Sequence, residues 1–342
     1  MKIGWRGALG ILISAILLFV LFRSIPWRDV AENIRDADYA LLTLTAVVAT
    51  CIFPLRARRW RTILDPVAPR LPFGKLWRAT TIGMMVNNVL PARAGEPARA
   101  FALWREEPKV PFSTAFASLA VDRVFDAIVV LLLMALATFD SQFPPSATVN
   151  GKPVGDYAVV FLVVTVVALA GLYSLVFFPA VLIRGFELMA RRVAPRIEAR
   201  GRDALRAFSN GLSVLRSPGH FLEIFVWTVV HWLVNALAFW IGFRALHIDA
   251  PYSAALFLQG LIAVGVAAPS SPGFFGVFEW LAVLGLALYG VDKANATAWA
   301  VAYHVVSFIP ITIIGAIYFA RLGLTFGDFG TGGRKSAEAE AT

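Results

Sequence analysis

Long apolar segments, separated by short basic stretches, constrain this chain more than any other feature of its sequence. Each resembles a helix that crosses a membrane, since about 20 helical residues span the hydrocarbon core. Apolar residues make up 58% of the chain and charged residues 15%, which leaves too little polar surface to coat a soluble globule. The sequence therefore predicts an all-α polytopic membrane protein with six spanning helices. They lie at 8–22, 39–55, 114–139, 156–180, 221–246 and 296–320.

The first apolar segment has to be distinguished from a secretory signal. Residues 8–22 follow Lys2 and Arg6, as the apolar core of a signal peptide follows its basic start. The sequence RSIPW at 23–27 lacks the small residues of a cleavage site. We therefore expect an uncleaved first helix whose N-terminus lies in the cytoplasm.

Basic residues are concentrated between the apolar segments. The chain has 31 Lys and Arg against 22 Asp and Glu, a formal net charge of +9. In a membrane protein such an excess is typical of cytoplasmic loops that face anionic lipid, so we expect no nucleic-acid partner. The basic regions 56–75, 93–109, 184–216 and 321–335 are predicted to be cytoplasmic, and so are both termini.

Three shorter apolar segments do not fit simple crossings. Residues 76–90 have basic regions on both sides, so they must enter from the cytoplasm and return to it. Residues 252–268 and 274–289 are separated only by the PSSPG sequence at 269–273. Because the last helix ends beside Arg321, this pair must return to the outer face. The sequence favours two re-entrant hairpins; the alternative is that the second pair crosses fully, which gives about eight spanning helices with the same sidedness.

These assignments have an internal symmetry. Residues 39–139 and 221–320 each predict a spanning helix, a re-entrant hairpin and a second spanning helix, in opposite orientations. Inverted repeats with broken helices near the midplane recur among transporters. A single transmembrane domain is therefore predicted at 1–325, with an Arg-rich cytoplasmic linker at 184–217 and a disordered cytoplasmic tail at 326–342.

The first candidate site follows the segment 76–90. Asn87 and Asn88 lie at predicted membrane depth, where polar residues are candidates for function. After a proline, Arg93, Glu96 and Arg99 follow at intervals of three and share a face wherever the chain is helical. Two guanidiniums around one carboxylate leave donors free for a lipid phosphate beside a helix N-terminus. The alternative is an ordinary interfacial loop with a local ion pair.

The second candidate site is Asp122 and Asp126, which flank Arg123 where an apolar helix opens. By themselves these residues favour a self-neutralising pair that anchors a helix end. Ionisable residues at membrane depth are nevertheless candidates for function. Arg123 or Asp126 is also positioned to pair with Glu96 or Arg93 of the preceding hairpin.

The third candidate site is the break in the second hairpin, with Ser270, Ser271 and Gly273. Prolines end one helix there, and the exposed amides of the next helix favour an anionic group. Glu279 is the only acid in this apolar stretch, so it must pair, become protonated or face water. Proton coupling through Glu279 and a structural partner, such as an arginine of the first hairpin, are both open at this point.

Three other polar residues are secondary candidates. His231 and Asn235 share a helix face four residues apart, and His304 lies inside the last helix. Core hydrogen bonds explain them better than a proton relay does. Neither they nor the lone Cys51 form a metal-binding pattern, and no nucleotide, dinucleotide or zinc fingerprint occurs in a workable context. We therefore expect no metal and no cofactor.

At these residues the sequence resembles the lysylphosphatidylglycerol synthase transmembrane-region family, also called flippase-like or UPF0104 proteins, over residues 5–325. The matching residues are Asn88-Val89-Leu90-Pro91 with Arg93, Gly95, Glu96 and Arg99; Asp122-Arg123 with Asp126; and Pro269-Ser270-Ser271-Pro272-Gly273 with Gly276 and Glu279. Two positions depart from the family pattern. Members often carry Glu where this chain has Asp122, and often carry Arg near the position of His304.

The resemblance implies a bacterial inner-membrane protein that moves lipids, or helps to move them, between leaflets. Some relatives are fused to a soluble aminoacyl-transferase domain that this sequence lacks, so lysyl-lipid synthesis is not implied. A smaller branch accompanies hopanoid biosynthesis, and the length of this chain suits it. We expect a transporter rather than an enzyme, in which Arg93, Arg99 and Arg123 hold a lipid phosphate. The alternatives are an integral-membrane enzyme that modifies lipid headgroups and a scaffold that recruits a lipid-synthesis enzyme.

Overall fold

The structure, a computed structural model, describes most of the chain after residue 25. The described residues are 26–90, 94–144, 148–149, 152–153, 177–193, 217–266 and 271–327, with scattered positions between 159 and 174. The predicted helix at 8–22, most of the 184–217 linker and the tail beyond 327 lie outside them. So do Arg93 and Ser270 of the predicted sites.

The described chain is helical apart from one short antiparallel pair, β1 (Thr148–Val149) and β2 (Lys152–Pro153). The helices are α1 Trp27–Arg35, α2 Tyr39–Leu64, α3 Phe73–Val89, α4 Gly95–Glu106, α5 Phe112–Ala137, α6 Pro179–Val193, α7 Pro218–Ala245, α8 Tyr252–Gly265, α9 Val277–Leu288 and α10 Lys293–Arg321. A short 3-10 turn, Pro272–Phe274, separates α8 from α9. The helical character of the prediction is therefore confirmed.

Three of these helices are long and apolar enough to cross a membrane: α2, α7 and α10. They match the predicted segments 39–55, 221–246 and 296–320, but the predicted segment 39–55 is shorter than the helix that the structure shows. We expected Pro54 and the arginines after it to stop the helix, whereas α2 continues to Leu64. The prediction was wrong because two of those arginines are buried and paired with carboxylates, so the charged turn does not have to leave the protein.

The helices form two sets of four, α2–α5 and α7–α10, which contact each other in a symmetric way. The first helices of the two sets, α2 and α7, pack along each other more extensively than any other pair. The α3 helix packs on α10 as α8 packs on α5, and the hairpins α3–α4 and α8–α9 each pack on the helix that follows. Exchanging the two sets thus reproduces the pattern of contacts.

The tip of the second hairpin reaches the first hairpin, because the 3-10 turn lies against α3. Gly273 in this turn has φ of +62°, a left-handed conformation that favours glycine. A Cβ at this position would lie 2.5 Å from the ring of Phe308 on α10. This turn therefore needs glycine both for its backbone angle and for its close contact with α10.

Candidate functional site

A buried cluster of charges joins α2, α4 and α5. Arg59 of α2 is fully buried and binds two carboxylates of α5: its Nη2 lies 2.5 Å from Asp122 Oδ1, and its Nη1 lies 2.7 Å from Asp126 Oδ1. Arg59 Nη1 also donates to Thr228 Oγ1 of α7 at 3.2 Å. One guanidinium therefore ties the first set of helices together and links it to the second.

The two aspartates lie in the middle of α5, ten or more residues from its start at Phe112, and not at a helix end as expected. Their spacing of four places both on one face, towards α2. Arg56 lies one turn before Arg59 and faces the same pair, with Nη2 3.9 Å from Asp122 Oδ2 and 3.8 Å from Asp126 Oδ2.

Arg56 and Arg59 correct the sequence analysis, which assigned the basic region 56–75 to the cytoplasmic surface. Arg59 is fully buried and Arg56 nearly so. An unpaired buried guanidinium is costly; the two aspartates of α5 bind Arg59 directly and lie 3.8 and 3.9 Å from Arg56. By contrast, Arg58 is half-exposed and pairs with Glu223 of α7 at 3.0 Å. The arginines of α2 therefore divide by helix face.

Arg99 of α4 approaches the cluster from the first hairpin. Its Nη1 donates to Asp122 Oδ2 at 3.3 Å, and its guanidinium carbon lies 4.0 Å from the centroid of the Trp60 ring. The expected local pair of Arg99 with Glu96 is not its hydrogen-bonded contact. Glu96 instead binds Arg123 of α5, with Oε1 2.8 Å from Nη2. A pair between Arg123 and Glu96 was one of the predicted alternatives. Arg123 also contacts Asp126 at 3.4 Å.

The second hairpin carries a different acid–base pair. Glu279 in the first turn of α9 lies 2.5 Å from His304 Nδ1 of α10, and its other oxygen accepts the Gly276 backbone N–H at 2.6 Å. His304 Nε2 lies 2.9 Å from the carbonyl oxygen of Gly273. Among the described residues, which do not include Arg93, the partner of Glu279 is therefore a histidine of the last helix and not an arginine of the first hairpin.

The contacts of His304 fix the number of protons on this pair. A neutral imidazole has one N–H donor and one acceptor nitrogen. Because the Gly273 carbonyl can only accept, Nε2 carries hydrogen. The contact between Nδ1 and Glu279 then needs a second proton, which is held by the histidine or by the carboxyl group. In either form the pair is neutral overall.

Two amide side chains, those of Asn235 and Gln259, form a further polar pair. Asn235 of α7 donates from Nδ2 to Gln259 Oε1 of α8 at 2.9 Å. Gln259 is almost fully buried, and its Nε2 has no hydrogen-bond partner among the described residues. His231, one turn before Asn235, is buried beside Trp232 and does not line the cavity described next.

A cavity of about 650 Å³ lies between the two sets of helices. Its lining includes Arg56, Arg123, Glu96 and Asp126 from the first set, and Asn235, Gln259, His304 and Ser307 from the second. Most of the remaining lining is apolar, with aromatic rings such as Trp232 and Phe239. Such a volume and composition are typical of sites that enclose a small molecule or a headgroup.

The other predicted residues divide between the cavity and its supports. Asn87 and Asn88 line the cavity: Asn87 Oδ1 accepts the Gly95 backbone N–H at 2.7 Å, and Asn88 Nδ2 donates to Thr312 Oγ1 at 2.7 Å. Gly273 also lines it. Arg99, Asp122 and Glu279 lie behind the lining as partners of other residues. Ser271 is half-exposed outside the lining, where its Oγ donates to the Phe275 carbonyl at 2.8 Å.

Sequence reasoning missed Arg56, Arg59, Trp232 and Gln259. The signal available for the two arginines was their spacing of three, which matches a carboxylate pair four apart on another apolar helix. Trp232 donates from Nε1 to Asp126 at 3.1 Å. Neither Trp232 nor Gln259 stands out among the polar and aromatic residues of apolar helices without knowledge of which helices pack together.

Comparison with known proteins matches the chain to a described family. The family model for the lysylphosphatidylglycerol synthase TM region matches residues 7–315. Glycosyltransferase AglD of Haloferax volcanii is 28% identical over 335 residues, which are 90% of this chain and 53% of AglD. Two UPF0104 membrane proteins of Methanothermobacter thermautotrophicus are 24% and 22% identical, and the matches cover 93% and 96% of their lengths. The chain thus spans about half of AglD and nearly all of the UPF0104 proteins.

Proposed function

Because the chain belongs to the lysylphosphatidylglycerol synthase TM region family, we propose that it moves polar-headed lipids between the leaflets of a membrane. In this proposal the headgroup enters the cavity between the two sets of helices while the acyl chains remain in the bilayer. The lipid is the only partner that the proposal requires.

One observation carries this proposal: both sets of helices contribute polar side chains to one cavity inside an otherwise apolar protein. Burying charged and amide groups in an apolar environment is costly unless they are paired or have a function. The cluster around Arg59 is largely paired, but Nε and Nη2 of the cavity-lining Arg56 have no hydrogen-bond partner among the described residues. A phosphate oxygen is the type of acceptor that such a guanidinium binds.

The membrane topology that we propose follows from the symmetric contacts of the helices. The hairpins α3–α4 and α8–α9 enter from opposite faces as re-entrant elements, and four helices of the two repeats span the membrane. With the segments 8–22 and 156–180, this gives six spanning helices. Both termini lie in the cytoplasm, and the protein resides in the inner membrane. Broken helices are tolerated at membrane depth where they line a cavity, as both hairpin arms do here.

Reconstitution tests the proposed activity directly. Purified protein is incorporated into vesicles that contain, in both leaflets, a phospholipid labelled on one acyl chain. An impermeant quencher is then added outside, and the fraction of label that it reaches measures exchange from the inner leaflet. We expect exchange above the protein-free rate, reduced about tenfold by Arg56→Gln because a charged hydrogen bond is lost. Arg244→Gln is the matched control, since Arg244 pairs with an exposed carboxylate far along α7.

A second candidate function is favoured by the name of one relative, the glycosyltransferase AglD. An enzyme of lipid headgroups or lipid-linked sugars would use the cavity-lining Asp126 and Glu96 in acid–base roles. Product formation by the pure protein without leaflet exchange would support this enzyme and contradict the transporter. Function in the cell that is retained after the charges of the cavity are neutralised, without leaflet exchange by the pure protein, would contradict both and favour a scaffold.

A further inference from the structure

The charges around the cavity do not balance. Four arginines, Arg56, Arg59, Arg99 and Arg123, contact three carboxylates, those of Glu96, Asp122 and Asp126. The described part of this network therefore carries one positive charge in excess. In a low-dielectric environment an uncompensated charge is strongly unfavourable. A bound group with one negative charge would remove this excess.

Of the four arginines, the cavity-lining Arg56 makes the weakest contacts with these carboxylates. The carboxylate oxygens nearest to its Nη2 are 3.8 and 3.9 Å away, outside hydrogen-bond distance, and its Nη1 has only the weak acceptor Met84 Sδ at 3.8 Å. Its Nε and Nη2 together form one edge of the guanidinium, and both lack a hydrogen-bond partner in the described chain. This edge matches two oxygens of a phosphodiester.

Among the described residues, the wall of the cavity that the second set of helices contributes holds no ionisable side chain apart from His304 and Tyr303. Gln259 on that wall has only 2% of its surface exposed, and its Nε2 donor is unused while its Oε1 is occupied by Asn235. A buried donor without a partner is unfavourable, and Gln259 belongs to the cavity lining, so an acceptor on a bound molecule would remove this cost. A hydroxyl or ether oxygen supplies one without adding charge.

A cationic headgroup finds no free carboxylate in this cavity. The acids in its described lining are Glu96 and Asp126, and each is already paired with an arginine. A zwitterionic headgroup would also leave the excess charge of the network in place. Lipids whose headgroup carries a positive charge, whether cationic or zwitterionic overall, therefore do not fit this cavity.

From these observations we infer the substrate class: a lipid with one phosphodiester and a neutral, hydroxylated headgroup, such as glycerol or a sugar. The phosphodiester binds Arg56, and a headgroup oxygen accepts from Gln259 Nε2 across the cavity. This inference rests on the proposed function, because it describes the lipid that the same cavity carries.

Three lipids with the same acyl chains test this inference in the exchange assay. Phosphatidylglycerol has the inferred chemistry, phosphatidylethanol has the same charge without hydroxyls, and phosphatidylethanolamine is zwitterionic. We expect phosphatidylglycerol to exchange about fivefold faster than phosphatidylethanol, the value of one net hydrogen bond. Phosphatidylethanolamine should be the slowest of the three.

Two variants of one residue separate binding from folding. Gln259→Leu should abolish the preference for phosphatidylglycerol over phosphatidylethanol, because the donor to the hydroxyl is lost. Gln259→Glu should instead favour phosphatidylethanolamine, because it places a carboxylate opposite the phosphate site. A reversed preference requires a folded protein, so this variant remains informative if Gln259→Leu fails to fold.

The outcomes distinguish the inference from the proposed function. Equal exchange of all three lipids by the wild type would overturn the inference and leave lipid transport standing. The absence of any exchange would overturn lipid transport itself. Efflux of soluble glycerophosphoglycerol from loaded vesicles would overturn the assignment to a lipid, whereas its retention would support it.

Discussion

The two hairpins hold equivalent acid–base pairs with different chemistry. In the first, Glu96 in the opening turn of α4 binds Arg123 of α5; in the second, Glu279 in the opening turn of α9 binds His304 of α10. Arg123 and His304 are each the twelfth residue of their helix. The two pairs therefore occupy matching positions in the two sets of helices and differ in their base.

This difference determines what each pair can do. Arg123 belongs to a network of seven charged residues, and an arginine stays charged under all ordinary conditions. His304 and Glu279 have no other ion-pair partner within the described chain. The first pair is therefore part of an extended network of charges beside the cavity, whereas the second is a separate pair.

The largest expected effect comes from breaking the network of the first repeat. Asp122→Asn leaves Arg59 and Arg99 without their shared, fully buried carboxylate. We expect the free energy of unfolding to fall by about 3–5 kcal/mol, measured by thermal unfolding in detergent. Asp249→Asn, which removes a carboxylate that is 93% exposed, is the control and should change nothing measurable. Equal effects of the two variants would show that the network does not stabilise the fold.

A smaller effect should distinguish the packing of the two hairpins. A Cβ at Gly83 of α3 would lie 2.8 Å from the Gly95 carbonyl oxygen, which is backbone, whereas at Gly265 of α8 it would meet the side-chain end of Leu281. Gly83→Ala should cost about 1–3 kcal/mol of unfolding free energy, and Gly265→Ala should cost less because Leu281 can change rotamer. A lower melting temperature for Gly265→Ala than for Gly83→Ala would contradict this comparison of the two hairpins.

Two buried tryptophans provide a third comparison. Trp60 Nε1 donates to Ser118 Oγ at 2.8 Å, whereas Trp299 Nε1 has no hydrogen-bond partner among the described residues. Both rings are fully buried, so replacement by Phe removes the same volume at each site. We expect Trp60→Phe to be less stable than Trp299→Phe by about 1 kcal/mol, from parallel denaturation curves. A difference of zero would mean that the Ser118 hydrogen bond contributes nothing.

The smallest effect is expected at the second acid–base pair. Glu279→Gln keeps both contacts, because the amide oxygen accepts from Gly276 N–H and the amide nitrogen donates to His304 Nδ1. Stability should therefore change by less than about 1 kcal/mol. A loss as large as that of Asp122→Asn would show that the pair is a fixed ion pair like those of the first repeat.

The sequence was sufficient for the helices, because apolar runs of spanning length leave few alternatives. The predicted segment 221–246 corresponds to Pro218–Ala245, and 252–268 to Tyr252–Gly265. The end of α2 was missed because a proline and a run of arginines normally stop a helix. Here the carboxylates that neutralise the arginines lie more than 60 residues further along the chain.

The candidate site was predictable in part from the sequence. Charged residues in apolar helices are conspicuous, so Asp122, Arg123 and Glu279 were found from composition alone. Their partners were not, since Arg59 and Gln259 acquire their roles only through the packing of α2 and α8 against other helices. The pairing of Glu279 with His304 likewise depends on the contact between α9 and α10.

The excess charge of the first repeat has an electrical consequence. A charge within a membrane changes in energy by about 2.3 kcal/mol when it crosses a potential of 100 mV. In the proposed cycle the described network carries one such charge when the cavity is empty and none when a lipid with one negative charge is bound. The membrane voltage then acts on the return of the empty cavity and leaves the loaded step nearly unaffected. A transporter built in this way would draw its direction from the voltage, although the bound complex is neutral.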